Sequence, residues 1–144
     1  FNLYKMSTTI NKQEIQKFSR LADEWWDVNG KFKPLHMFNP IRIKYITDKI
    51  KNHLNIKKDK VNYLEGLSLL DIGCGGGLIS EPISRLGAKV TGIDASEKNI
   101  NIAKLHSKKS GLNINYINTP PENLEADDAI FQRDFLDEVV DDKP

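Results

Sequence analysis

Leu67-Ser68-Leu69-Leu70-Asp71-Ile72-Gly73-Cys74-Gly75-Gly76-Gly77 is the stretch on which the fold turns. A short apolar run that passes straight into glycines reads as a buried parallel strand. The glycines after it mark a bend where backbone must come close to something and a Cβ would intrude. Downstream, residues 78–86 read as a helix that Pro82 either bends or confines to a late start, and Gly87 ends it. Residues 89–94 form a second strand. Residues 96–109 form a helix with Ile100, Ala103 and Leu105 turned partly inward, stopped by Ser110-Gly111, and residues 113–117 form a third strand. Strands alternating with helices at this spacing predict an α/β fold, with about three parallel strands joined by right-handed crossovers.

Working outward from the loop, the upstream part is helical. Residues 1–10 lack periodicity and are expected to be a flexible N-terminus. Asn11, with Glu14 three positions on, predicts a helix start. Ile15, Phe18, Ala22, Trp25 and Trp26 then recur at helical spacing up to Asp27. Asn29-Gly30 stops that helix, and residues 31–39 read as a loop. Pro40 suits the first turn of a second helix because its missing N–H would have no partner there. Ile43, Ile46, Ile50 and Leu54 carry the second helix on, and a lysine-rich connection closes at Gly66. After Ile117 the alternation decays. Pro120-Pro121 breaks the chain, and residues 129–140 read as a short amphipathic helix among acids. The expected organisation is a flexible segment over 1–10, a nucleotide-binding-type domain with N-terminal helices over 11–124, and an acidic tail over 125–144.

Composition narrows the class. The 144 residues are 39% hydrophobic and 28% charged, which fits one globular domain. A single cysteine, Cys74, forms no intramolecular bridge, and this points to a reducing compartment. No apolar run approaches the roughly 20 residues that span a bilayer, and no signal peptide is evident. Phe1 in place of Met suggests a processed product or a fragment. The net charge of +1 hides an asymmetry: residues 122–144 carry −7 and the rest +8. The basic body reads first as lysines on solvated helix faces, and second as an attraction for anionic partners such as lipid headgroups. Nucleic acid is not expected as a partner.

The loop gains meaning from an acid at the end of the second strand. Asp94 stands 21 residues beyond Gly73, where a carboxylate can accept hydrogen bonds from both hydroxyls of a ribose. A dinucleotide site would need glycine at the sixth loop position counted from Gly73, and Leu78 stands there. The pattern present is Asp71-x-Gly73-x-Gly75-x-Gly77. A carboxylate beside the loop repels a pyrophosphate and attracts a ligand with a cationic amino acid group. S-adenosylmethionine is such a ligand, and a nicotinamide or flavin dinucleotide is the rival.

These residues, with Thr91-Gly92-Ile93-Asp94-Ala95-Ser96, resemble the class I S-adenosylmethionine-dependent methyltransferases. A narrower likeness lies upstream in Trp25-Trp26-Asp27, Gly30-Lys31-Phe32-Lys33-Pro34-Leu35-His36 and Asn39-Pro40-Ile41-Arg42, joined by Ala103-Lys104-Leu105-His106. These segments resemble the ubiquinone biosynthesis O-methyltransferases, which methylate catechol hydroxyls of polyprenylated ubiquinone precursors. The resemblance covers about residues 12–124 and implies a truncated Rossmann-like methyltransferase fold, with S-adenosyl-L-methionine as cofactor. It also implies that Arg42 contacts the cofactor carboxylate, Gly73 lies under the methionine part and Asp94 holds the ribose. Asp71 would face the amino group, with Gly75 and Gly77 supplying clearance. A guanidinium fork suits the carboxylate role. The implied partners are a polyprenylated catechol, an anionic membrane surface and other ubiquinone-biosynthesis proteins. The implied place is the cytoplasm at the inner membrane, with the mitochondrial matrix as the alternative.

Beyond Glu125 the residues depart from the family pattern, so a truncated or aberrantly ended member is expected. Its rival readings are a catalytically incompetent remnant and a dinucleotide-binding module. No catalytic residue is identified and no metal is expected. His36 and His106 invite a role as bases, yet neither shows a carboxylate partner in sequence, and ordinary hydrogen-bonding roles are preferred. Of Trp25 and Trp26, one is expected in the core and the other partly wet. Cys74 is read as a small filler without chemistry.

Overall fold

Three parallel strands, β1 (Ser68–Ile72), β2 (Lys89–Asp94) and β3 (Asn115–Asn118), lie side by side in that order in a computed structural model. It describes residues 3–56 and 61–123, with side chains placed from residue 12 onward. The register sets Leu69 beside Val90, Asp71 beside Gly92 and Gly92 beside Tyr116, so these side chains share one face of the sheet. Ile72, Ile93 and Ile117 share the other. The strands therefore reach a common C-terminal edge where Ile72, Asp94 and Asn118 end. The acidic tail over 125–144, including the helix expected over 129–140, lies outside the described residues.

Four α-helices accompany the sheet among the described residues: α1 (Leu3–Trp25), α2 (Lys33–Leu54), α3 (Ser80–Arg85) and α4 (Glu97–Lys109). The sequence placed two helix starts wrongly. α1 begins at Leu3, so Asn11 lies inside it and not at its start. No Gly or Pro interrupts residues 3–10, and nothing there stops the helical hydrogen-bond ladder from running on. α2 begins at Lys33, not at Pro40. Pro34 takes the first-turn place where a missing N–H costs no bond, and Pro40 sits inside the helix. The other boundaries follow the sequence closely. α3 starts late, with Pro82 in its first turn. Ser96 caps α4 by accepting from the Asn99 N–H at 3.2 Å.

α2 and α3 bring Ile50, Ile79 and Ile83 onto Leu64, Leu69, Ala88 and Val90, and this cluster is the aliphatic core. α4 brings Ile100 and Ala103 onto Tyr116 and Cys74. Ile83, Ile93, Ile100 and Ile102 are fully buried, each worth about 1.5–3 kcal/mol. α1 packs on α4, with Ala22 buried and Lys109 Nζ 3.4 Å from Asp23 Oδ1 at the rim. Its apolar face is used unevenly: Ile15 stays 49% exposed. No helix among the described residues is long and apolar enough to cross a membrane.

Candidate functional site

The chain leaves β1 by a turn that β2 itself closes. The N–H groups of Gly73 and Cys74 both donate to the Ile93 carbonyl, at 2.8 and 3.0 Å. This draws the loop across the end of β2 and puts the Gly75 N–H 3.0 Å from Asp94 Oδ2. The second Asp94 oxygen, Oδ1, accepts from the Ser96 N–H at 2.8 Å and so starts the turn into α4. Each oxygen has one protein donor and room for a further one. Gly73 and Asp94 thus share one edge of the sheet, joined through a single hydrogen bond at Gly75.

Gly73 needs its φ of +72°, and a Cβ built on it would meet no described atom within 4 Å. That side of the loop is open. The neighbouring glycines differ. A Cβ on Gly75 would stand 3.1 Å from Trp25 Cη2, and one on Gly76 would stand 2.8 Å from Trp25 Cε3. A Cβ on Gly77 would stand 2.5 Å from the Tyr116 hydroxyl, and Gly92 is filled from the same side by the Tyr116 ring. The room left by Gly75 and Gly77 is therefore taken by the protein's own aromatic side chains.

Asp71 lies beneath the loop and accepts from the Ser80 hydroxyl at 2.6 Å. Burial pushes its carboxyl above the usual carboxylate value. The Ser80 hydrogen bond and the positive charge of Arg42 oppose that push, and Asp94 adds to it. Arg42, exposed on α2, is thus near enough to act on Asp71. The Cys74 thiol is buried and pushed up to about 12, first by burial and then by Asp71 and Asp94, so it stays protonated at neutral pH. The Tyr116 hydroxyl is also pushed up by burial. It feels the nearby Ser80 side chain but meets the geometry of a hydrogen bond with no described group.

Of the six residues put forward from the sequence, Asp71, Gly73, Gly75, Gly77 and Asp94 lie on the loop and strand ends, and Arg42, exposed on α2, acts on Asp71 through its charge. Behind the loop lies a cluster that the sequence reading missed. Glu81 is fully buried in α3. Its Oε1 pairs with Arg85 Nη2 at 3.1 Å and its Oε2 with His106 Nδ1. The sequence shows no carboxylate beside His106 because its partner comes from another helix, and the hydrogen-bonding role expected of His106 is the one it has. His36 Nε2 bonds the Trp25 carbonyl at 2.8 Å. The expectation of one buried and one wet tryptophan also fails: both are half-buried, and both lie against the glycine loop. The sequence did carry one signal for the cluster, an acid between Ser80 and Pro82 three residues after the apolar Leu78 and so on the same helical face. Such an acid requires a cationic partner.

A methyltransferase domain profile matches residues 69–139. The chain is 55% identical over 137 residues to the ubiquinone biosynthesis O-methyltransferase of Pelagibacter ubique, covering 92% of this chain and 56% of that relative. It is 47% identical over 138 residues to the enzyme of that name from Sinorhizobium medicae, covering 93% of this chain and 56% of the relative. The chain therefore spans a little over half the length of the curated relatives it matches. Among solved structures it is similar to the magnesium protoporphyrin IX methyltransferase of Synechocystis, which carries bound S-adenosylmethionine. That match has a TM-score of 0.56 at 22% identity, over 81% of this chain and 56% of the other, and it supports the fold.

Proposed function

We propose that this chain, which is similar over 92% of its length to a ubiquinone biosynthesis O-methyltransferase, forms the N-terminal, cofactor-holding part of such an enzyme. The observation that carries the reading is the Asp94 carboxylate. It is oriented by the Gly75 and Ser96 N–H groups, and the same loop has open space at Gly73. The residues fit S-adenosylmethionine. Asp94 keeps an acceptor site on each oxygen for the ribose hydroxyls, and Gly73 offers backbone with no side chain in the way. Asp71 and Arg42 present opposite charges for the amino and carboxylate groups of the methionine part. When bound, the cofactor supplies an activated methyl group on a sulfonium. What these residues do is hold and align it, which is the larger part of a displacement at carbon.

The acceptor, on this reading, is a catechol hydroxyl of a polyprenylated ubiquinone precursor, met in the cytoplasm at a membrane surface. The +8 charge of residues 1–121 favours anionic lipid there. A second reading, cofactor binding without turnover, is favoured by a separate observation. His36 and His106, the two histidines suited to act as bases, are both engaged in the scaffold.

Calorimetric titration with S-adenosylmethionine, S-adenosylhomocysteine and NAD tests the proposal. Binding of the two adenosyl ligands with little response to NAD is expected, and preference for NAD would overturn it. Asp94→Asn should weaken S-adenosylhomocysteine by about five- to twentyfold through loss of charge-assisted hydrogen bonds. Unchanged affinity would remove Asp94 from the site. Incubation with a catechol acceptor and labelled methyl donor then separates the enzyme from the non-catalytic binder.

A further inference from the structure

The two consecutive tryptophans at the end of α1 grip the glycine loop in different ways. Trp25 fills the space beside Gly75 and Gly76, and its ring stacks on Phe32 at 4.2 Å between ring centroids and 15° between planes. Trp26 makes a directed contact: its indole N–H donates to the Gly76 carbonyl at 3.1 Å. An indole has one donor and no acceptor, so that bond fixes where the ring edge points. The plane of the ring is fixed separately, by a face-to-face stack on His106 with centroids 3.9 Å apart and planes 3° apart.

His106 is itself held. A carboxylate can only accept, so His106 Nδ1 carries the hydrogen and donates it to Glu81 Oε2. Glu81 is fully buried, and a charge there is tolerated only when its oxygens are taken up. Arg85 takes the other oxygen. The chain of contacts runs from the buried carboxylate in α3 through an imidazole in α4 and an indole in α1 to the carbonyl in the middle of the loop. Three helices distant in sequence are set against one peptide group. Simple packing of a large side chain would need neither the carboxylate nor the aligned N–H.

From this geometry we infer that Trp26 is a positioning residue: it transmits the anchorage of the Glu81–His106 pair to Gly76 and so keeps the loop in the shape that receives the cofactor. The inference deepens the proposed function and rests on it for its binding consequence. Its structural consequence can be read without any ligand. The Gly75 N–H, bonded to Asp94, and the Gly77 N–H, bonded to the Cys74 carbonyl at 3.0 Å, are protected only while the loop holds its form.

The decisive variant is Trp26→Phe, which keeps an aromatic ring to stack on His106 and deletes the indole donor together with part of the fused ring. Amide hydrogen exchange of the ligand-free full chain should show Gly75 and Gly77 exchanging about tenfold faster, with Val90 and Ile93 unchanged, as for a local opening that has lost one hydrogen bond. S-adenosylhomocysteine should bind about three- to tenfold more weakly at unaltered melting temperature. His106→Asn, which retains a donor toward Glu81 but removes the stacked ring, should fall between the wild type and His106→Ala. Unchanged exchange at Gly75 and Gly77 in Trp26→Phe overturns the inference, as does faster exchange with undiminished affinity. If the wild-type chain binds no adenosyl ligand, the proposed function fails, and exchange alone still decides whether Trp26 anchors the loop.

Discussion

Gly73 and Gly77 stand four residues apart in one loop, and both have positive φ, yet they face opposite surroundings. A side chain at Gly73 would project into open space, whereas one at Gly77 would strike the Tyr116 hydroxyl. The loop therefore has an open side at its beginning and a scaffold side from Gly75 onward, where Trp25 and Tyr116 fill the space. A glycine-rich motif is commonly read as clearance for a ligand. Here much of that clearance serves the protein's own aromatic residues, and only the backbone at Gly73 is left open.

The sharpest way to break this contrast is to add one carbon at each end. Gly77→Ala combines a left-handed backbone with a 2.5 Å approach to a buried ring, and it is expected to cost about 2–4 kcal/mol in urea unfolding. Gly73→Ala has only the backbone cost and should lose about 1–2 kcal/mol. Tyr116→Phe removes the hydroxyl at the point of collision. It should recover part of the Gly77→Ala loss in the double variant while costing little alone, because that hydroxyl has no described partner. Equal losses at the two glycines would mean that the loop has no distinct scaffold side.

The sequence disclosed what is local. Alternating apolar runs gave the strands, glycines gave the turn, and Ser96 and Gly87 marked helix ends, since each of these depends on neighbours within a few residues. Asp94 was legible for the same reason: it closes a strand in register with the one before the loop. The contacts behind the loop were not legible. Glu81 and His106 are 25 residues apart, and Trp26 and Gly76 are 50 apart. Only the tertiary fold brings these groups together, α4 meeting α3 through His106 and Glu81 and meeting α1 along its length. The misplaced start of α2 has another cause. Pro34 and Pro40 both suit a first turn, and nothing within the helix itself says which one the surrounding fold will choose.

A titration sharpens the contrast from the scaffold side, with a smaller effect. Cys74 lies between the open and filled glycines, and its side chain is buried near Gly92 and Tyr116. Its thiol ionises at about 12 in place of the usual 9.0. Between those values the unfolded chain releases the proton and the folded chain keeps it, so stability falls as pH rises through this range. Tyr116, also pushed up, adds to the fall at the alkaline end. Replacing Cys74 by Ala should flatten the decline that begins near pH 9, measured as melting temperature against pH. An unaltered profile would place the thiol in contact with water and remove it from the scaffold side.

The smallest expected effect comes from the outer seam of the same helix pair. Lys109 and Asp23 join α4 to α1 at 3.4 Å, but both side chains are largely exposed, at 72% and 63%. Water screens such a pair and two mobile side chains must be ordered to form it, so Lys109→Ala should change stability by less than about 0.5 kcal/mol. The inner seam between the same helices holds the partly buried His106–Trp26 stack against the fully buried Glu81, where solvent has far less access. If α1 is held to α4 by that inner seam, losing the outer pair leaves exchange at Gly75 and Gly77 unchanged. If Lys109→Ala instead loosens the loop as much as Trp26→Phe does, the helix is held by its rim, and the loop senses only whether α1 is docked.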